Sequence, residues 1–198
     1  MELTLDMNRR YTYADYMTWW DDTRRELIEG FIKMMSPAAS MPHARISGRI
    51  YNAMYNYVNR RKGECEVFAA PFDVRLPKNG EKEDDKIYTV VQPDICLVCD
   101  PEKLDERGCL GAPDMIVEVL SPSTRKHDLN DKYRLYEASG VKEYWVVEPK
   151  SDVTVFLLQE DGADSAYAKG IVYTGKAKAP MHCLPGLEID MEELFRLM

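Results

Sequence analysis

The stretch "APDMIVEVLSPST", residues 112–124, decides how this chain is read. Met115–Leu120 is an apolar run of strand length, and "LSPST" suits the end of that strand and the start of a helix. Glu118 interrupts the run. A carboxylate is expensive to bury unless something pairs with it or binds it. Strand parity places Ile116, Glu118 and Leu120 on one face and Met115, Val117 and Val119 on the other. The question is what Glu118 meets on its face.

On both sides of this stretch, helix-like and strand-like segments alternate. "TYADYMTWW" (12–20) is predicted as a short helix, and "RELIEGFIKMMS" (25–36) as a hairpin turning at Glu29-Gly30. Pro42 to Lys62 is predicted as a long helix. Proline suits its first turn, and Ile46, Ile50, Ala53 and Tyr57 form one apolar stripe. "CEVFAAPFDVRL" (65–76) reads as a strand bent or broken at Pro71, and "YTVVQPDICLVC" (88–99) as a second strand. Strand 114–120 follows, then a helix over about 127–139 and the strand "KEYWVVEP" (142–149). Later strands fall at 152–160 and 170–175, and a short helix ends the chain. Helix, three strands, helix, strand is an α/β order with a mixed sheet. No internal repeat or long linker divides the 198 residues, so one domain over 1–198 is expected.

With 45% apolar and 30% charged side chains, the composition is that of a globular protein, not a disordered one. "MELTLDMNRRY" lacks the apolar segment of a signal peptide, and no run approaches transmembrane length. The cytoplasm is the expected location, with no membrane partner. Five cysteines, an odd number without repeated spacing, agree with that expectation. Cys96 and Cys99 form a CxxC, but three positions apart on a strand they face opposite ways. Buried thiols are expected there, not zinc ligands.

The net charge of −8 argues against non-specific coating of nucleic acid. The charge is uneven, however. Residues 1–62 carry ten Lys/Arg against seven Asp/Glu, and Ser36 to Lys62 holds no acid at all. Arg45 and Arg49 on the long helix are therefore candidates for holding phosphates; a solvated helix surface fits the same spacing.

Asp94, after Pro93, is a second acid in an apolar strand, sharing a face with Cys96 and Val98. Two such carboxylates can converge where neighbouring strands part, and they repel unless a proton or a cation intervenes. Hard divalent cations take oxygen ligands and keep several waters, so two carboxylates can suffice. Salt-bridged or loop-capping acids fit the same pattern. Lys132 lies on the edge of the stripe Leu129, Tyr133, Tyr136 on the following helix. Its ammonium either snorkels to water or reaches the acids, where it would stabilise developing negative charge.

"PD" at 93–94 followed by "VEVLSPST" at 117–124 resembles the PD-(D/E)XK nuclease superfamily. More closely, the chain resembles its Uma-type branch of bacterial restriction-endonuclease-like proteins. The resemblance is carried by "YADYM…RELIEG", "SPAASMPH", "QPDICLV", "GAPDMIVEVLSPST", the series Asp128, Lys132, Tyr136, "GVKEYWVVEP" and "LPGLEI". It implies a restriction-endonuclease-like αβββαβ core over about 42–149, with an N-terminal helix and hairpin before it and extra strands after. It also implies a nuclease hydrolysing DNA phosphodiesters with Mg²⁺ or Mn²⁺, and a homodimer. Asp94 and Glu118 would be the metal-binding acids. Leu120 stands where the superfamily motif has its lysine, and Lys132 is the matching residue displaced to the next helix. Glu29, the acid before glycine at the hairpin, and His43, at the start of the long helix, match further positions of the branch. Each also has a plain reading, as a solvated turn acid and as a locally bonded histidine.

Two rivals belong to other classes. One is a catalytically silent nuclease-fold domain used for binding or assembly. The other is a carboxylate-pair glycosidase, for which no sugar platform is evident. His127 and His182 have no partner pattern, and Ser121 and Ser123 sit in no nucleophile motif.

Overall fold

A computed structural model describes residues 3–35, 39–121, 128–149, 151–161 and 164–196 of the chain. Ser36, Pro37, Ser123 and His127 lie outside the described residues. Helix α1 (Tyr13–Tyr16) is shorter than expected and is fixed by a capping box between Thr12 and Asp15. Strands β1 (Arg25–Ile28) and β2 (Phe31–Met34) form the expected hairpin, with Glu29 and Gly30 both at positive φ. Helix α2 (Met41–Arg61) has Ser40 as its N-cap and Pro42 in its first turn.

The strands that follow are β3 (Glu66–Ala69), β4 (Val74–Arg75), β5 (Val90–Val91), β6 (Ile95–Val98), β7 (Leu104–Asp105), β8 (Gly108–Leu110) and β9 (Met115–Val119). A π-helical turn over Asp128–Lys132 leads into α3 (Tyr133–Ser139). Then come β10 (Glu143–Glu148), β11 (Asp152–Asp161), β12 (Asp164–Tyr167), β13 (Ile171–Thr174), β14 (Lys178–Pro180), β15 (Glu188–Asp190) and α4 (Met191–Phe195).

Two mixed sheets result. One runs β2-β1-β5-β4-β8-β7, and the other β12-β11-β10-β9-β6-β3 with β13 also on β11. Within the second, β3, β6 and β9 pair antiparallel and β10 joins β9 parallel. With α2 before and α3 between, this is the αβββαβ order.

The stretch expected to bend or break at Pro71 and the one expected to be a single strand over 88–99 are each divided between the sheets. β3 passes to β4 across Pro71, and β5 passes to β6 across Pro93. Proline cannot donate to a ladder, so pairing stops there and the chain changes sheet. The sheets are thereby joined at residues 70–73 and 92–94, next to Asp94.

One cysteine expectation is corrected. Cys99 forms a disulfide with Cys65. The ladder pairs Glu66 with Val98, which brings the two cysteines to its common end. Cys96 and Cys109 are free and buried.

The two faces of β9 carry the parity read from the sequence. Met115, Val117 and Val119 pack with Ile46, Ile50 and Met54 of α2 and with Trp145. Ile116 and Leu120 pack with Tyr136 of α3, Tyr144 and Val146. Burying each such side chain contributes roughly 1.5–3 kcal/mol, so the second sheet is held firmly between α2 and α3. Glu118 is thereby aimed at α3.

Candidate active site

Glu118 lies in the middle of the buried face between β9 and α3, 5% exposed. Its Oε1 accepts from Lys132 Nζ at 2.8 Å and from the Tyr136 hydroxyl at 2.7 Å. Lys132 Nζ also donates to Glu26 Oε1 at 3.0 Å. Glu26, 3% exposed, comes from β1 in the other sheet, and the backbone N–H of Gln92 donates to the same oxygen at 2.9 Å. One ammonium thus bridges two buried carboxylates from different sheets.

Asp94 stands one residue before β6. Because Ile95 pairs with Val117, Asp94 falls opposite Glu118 at the point where β6 leaves β9. Its Oδ2 takes over the ladder's lost acceptor, receiving Val119 N–H at 2.7 Å. The same oxygen lies 3.1 Å from His43 Nε2, which arrives from the first turn of α2. The backbone fixes Asp94 from one side and the imidazole from the other.

Electrostatics follow from burial. The Tyr136 phenol is held well above its ordinary pKa, first by burial and then by the charges of Glu118 and Glu26, so it remains a hydrogen-bond donor. Burial, then Cys109 and Glu118, likewise push the Cys96 thiol up, leaving it an inert core residue. Tyr16, further along β1's side of the site, is pushed up to about 12 by burial, Asp73 and Glu26.

Of the residues singled out from the sequence, Asp94, Glu118, Lys132 and His43 gather in this region. Glu29 does not. Its carboxylate is 60% exposed at the hairpin tip and accepts from Lys78 Nζ at 2.8 Å. The acid that reaches Lys132 is Glu26, three residues earlier in the same "RELIEG". Arg49 is also elsewhere: its Nη1 donates to Leu194 O at 2.6 Å and Arg196 O at 3.0 Å, tying α2 to the C-terminal helix. Arg45 is exposed on α2, two residues beyond His43.

The sequence reading missed Glu26, Gln92 and the hydroxyl of Tyr136. Glu26 carries the same signal as Glu118, an acid inside a strand beside apolar residues. In a four-residue strand that signal was outweighed by the turn that follows.

An αβββαβ order, a sheet covered by α2 and α3, and acids gathered where its strands part define a restriction-endonuclease-like fold. The Uma2 family, described as "Putative restriction endonuclease", matches residues 13–192, and the chain belongs to it. A solved structure described as "a putative nuclease belonging to DUF820" from Anabaena variabilis ATCC 29413 superimposes with a TM-score of 0.70 at 19% identity. The match covers 93% of this chain and 97% of that one, and it shows a shared fold. "Uncharacterized protein slr1290" of Synechocystis sp. (strain ATCC 27184 / PCC 6803 / Kazusa) is 28% identical over 152 residues, 75% of this chain and 74% of its own length. Family and fold together mark the chain as nuclease-like. Among the described residues, no helix is long and apolar enough to cross a membrane.

Proposed function

We propose that the chain is a metal-dependent nuclease that hydrolyses DNA phosphodiester bonds, with Asp94, Glu118 and Lys132 as its reacting residues and Glu26 as a further acid. The observation that carries this reading is the buried Glu26–Lys132–Glu118 array beside Asp94. Burying three charges costs several kcal/mol per ion before pairing, a poor investment for stability alone.

The donors fit a hard divalent cation. Among the described residues no three His, Cys, Asp or Glu side chains converge as a closed cage. Mg²⁺ is commonly held by one or two carboxylates and keeps waters for its remaining positions. Asp94 and Glu118 would hold Mg²⁺ or Mn²⁺, which when bound would polarise a phosphoryl oxygen and acidify a water. The chain's own groups prepare the rest. Val119 N–H and His43 fix Asp94 through Oδ2. Tyr136 and Lys132 fix Glu118 through Oε1. Lys132, held between two carboxylates, presents its ammonium where negative charge develops on the phosphate.

The test is incubation of plasmid and single-stranded DNA with Mg²⁺, with Mn²⁺ and with chelator. Cleavage is expected with either metal and in neither Asp94→Asn nor Glu118→Gln. Cutting that persists in chelator would exclude the metal. Metal binding by calorimetry without any cutting would favour the silent-domain reading.

A further inference from the structure

Arg24 immediately precedes β1 and extends the hairpin ladder, since Met35 N–H donates to its carbonyl at 3.2 Å. Two positions from Glu26, it shares that residue's strand face. Between the two side chains sits Gln92. Its backbone N–H holds Glu26, while its side-chain Oε1 accepts from Arg24 Nε at 3.2 Å and Nη2 at 2.9 Å. Gln92 Nε2 donates in turn to Asp73 Oδ1 at 2.9 Å and to the Tyr16 hydroxyl at 3.3 Å. The carboxamide is fixed from both ends, and it fixes the guanidinium.

The choice of holder is informative. Among the described residues the buried cations are paired with acids: Arg25 with Asp21, Arg75 with Asp105, and Lys132 with Glu118 and Glu26. Arg24 is half-buried beside an acidic cluster, yet among the described residues its hydrogen-bond partner is a neutral amide and no carboxylate pairs with it. An amide orients a guanidinium without cancelling its charge. Arginine's planar fork matches a phosphate's paired oxygens. Gln92 is two residues from Asp94 and its backbone N–H holds Glu26, so the residue that orients Arg24 also belongs to the frame of the acids.

We propose that Arg24 forms an anion subsite of the candidate active site, taking a non-bridging oxygen of a nucleic-acid phosphate next to the bond to be cut. The subsite rests on the nuclease reading. It also supplies what Arg49 does not, a phosphate contact against an otherwise acidic centre.

The experiment measures fluorescence anisotropy of a labelled DNA duplex and of a labelled single strand against salt, with Ca²⁺ in place of Mg²⁺. Thermal melts verify that each variant is folded. Arg24→Gln is expected to weaken binding about tenfold and to lower the slope of log affinity against log salt by about one. Arg24→Lys keeps the charge but not the fork, so its slope stays at the wild-type value while affinity falls by less. A wild-type slope in folded Arg24→Gln overturns the subsite alone. If that variant does not fold, Arg24→Lys carries the test, and full wild-type affinity in it overturns the subsite. Failure of the wild type to bind either DNA overturns the nuclease reading, and the subsite with it.

Discussion

Lys132 is 4% exposed, and its ammonium is the charge shared between Glu118 and Glu26. Removing it takes from the two buried carboxylates the cation they share. Lys132→Met keeps the volume and deletes only the charge. We expect it to lower the unfolding free energy in denaturant by about 3–5 kcal/mol, and to abolish cleavage. Added Mg²⁺ should restore more stability to this variant than to the wild type, because the cation replaces the lost charge. Equal stabilisation of both would count against cation binding at these acids. Leu120, 4% exposed and on Glu118's face of β9, packs in the same cluster as Tyr136. A lysine there can reach the same carboxylate along its flexible stem. Leu120→Lys in the Lys132→Met background should therefore recover part of the cleavage rate, and a double variant as inactive as the single one would show that the two backbone positions are not interchangeable.

Along α2, Arg45 and Arg49 occupy one run without acids, yet they are placed differently: Arg45 is exposed, while Arg49 reaches the C-terminal helix. Arg49 satisfies the end carbonyls of the C-terminal helix α4, which have no acceptor role within so short a helix. Arg49→Ala should cost about 1.5–3 kcal/mol, the worth of hydrogen bonds to a charged group, and leave the salt dependence of DNA binding unchanged. Arg45→Gln should do the reverse, with little change in stability and a lower salt slope. The same contrast shows what was legible in the sequence. Apolar periodicity located α2 to within a residue at each end, because its buried stripe is a property of the helix itself. The partner of Arg49 lies about 145 residues away in the chain, and no local pattern encodes it. Glu118 was legible because a long apolar strand surrounds it. Glu26 was not, because its strand is four residues long and its partner Lys132 comes from a distant helix. Pro71 was visible as a bend or break, whereas 88–99 read as one strand running through Pro93. The consequence of the two prolines, a change of sheet that places Asp94 at the junction, depends on pairings that only the folded chain supplies.

Across the molecule, buried phenols report whether the two sheets unfold together. Tyr13 packs with Leu27 and Ile87 beside the first sheet, while Tyr136 and Tyr167 pack with Tyr144 and Val146 on the second. Burial is the first cause raising the pKa of Tyr13, Tyr16, Tyr136 and Tyr167. A phenol ionises near pH 10 in the unfolded chain and at a higher pH in the folded one. The folded state therefore binds these protons more tightly. Their contribution to stability is complete below about pH 10 and is lost as pH rises toward the folded values. Tyrosinate absorbance against pH reads this directly, with the ordinary phenol range near pH 10 as reference. Tyr13, Tyr16, Tyr136 and Tyr167 should lag behind that range and then ionise as far-ultraviolet circular dichroism collapses. If Glu26–Lys132–Glu118 and the Gln92 network bind the sheets into one cooperative unit, phenols of both sheets appear in a single step. Two separated steps, with Tyr13 and Tyr16 ionising while the second sheet keeps its structure, would show that the first sheet opens alone. The bridge through Lys132 would then be too weak to hold an active site assembled from both.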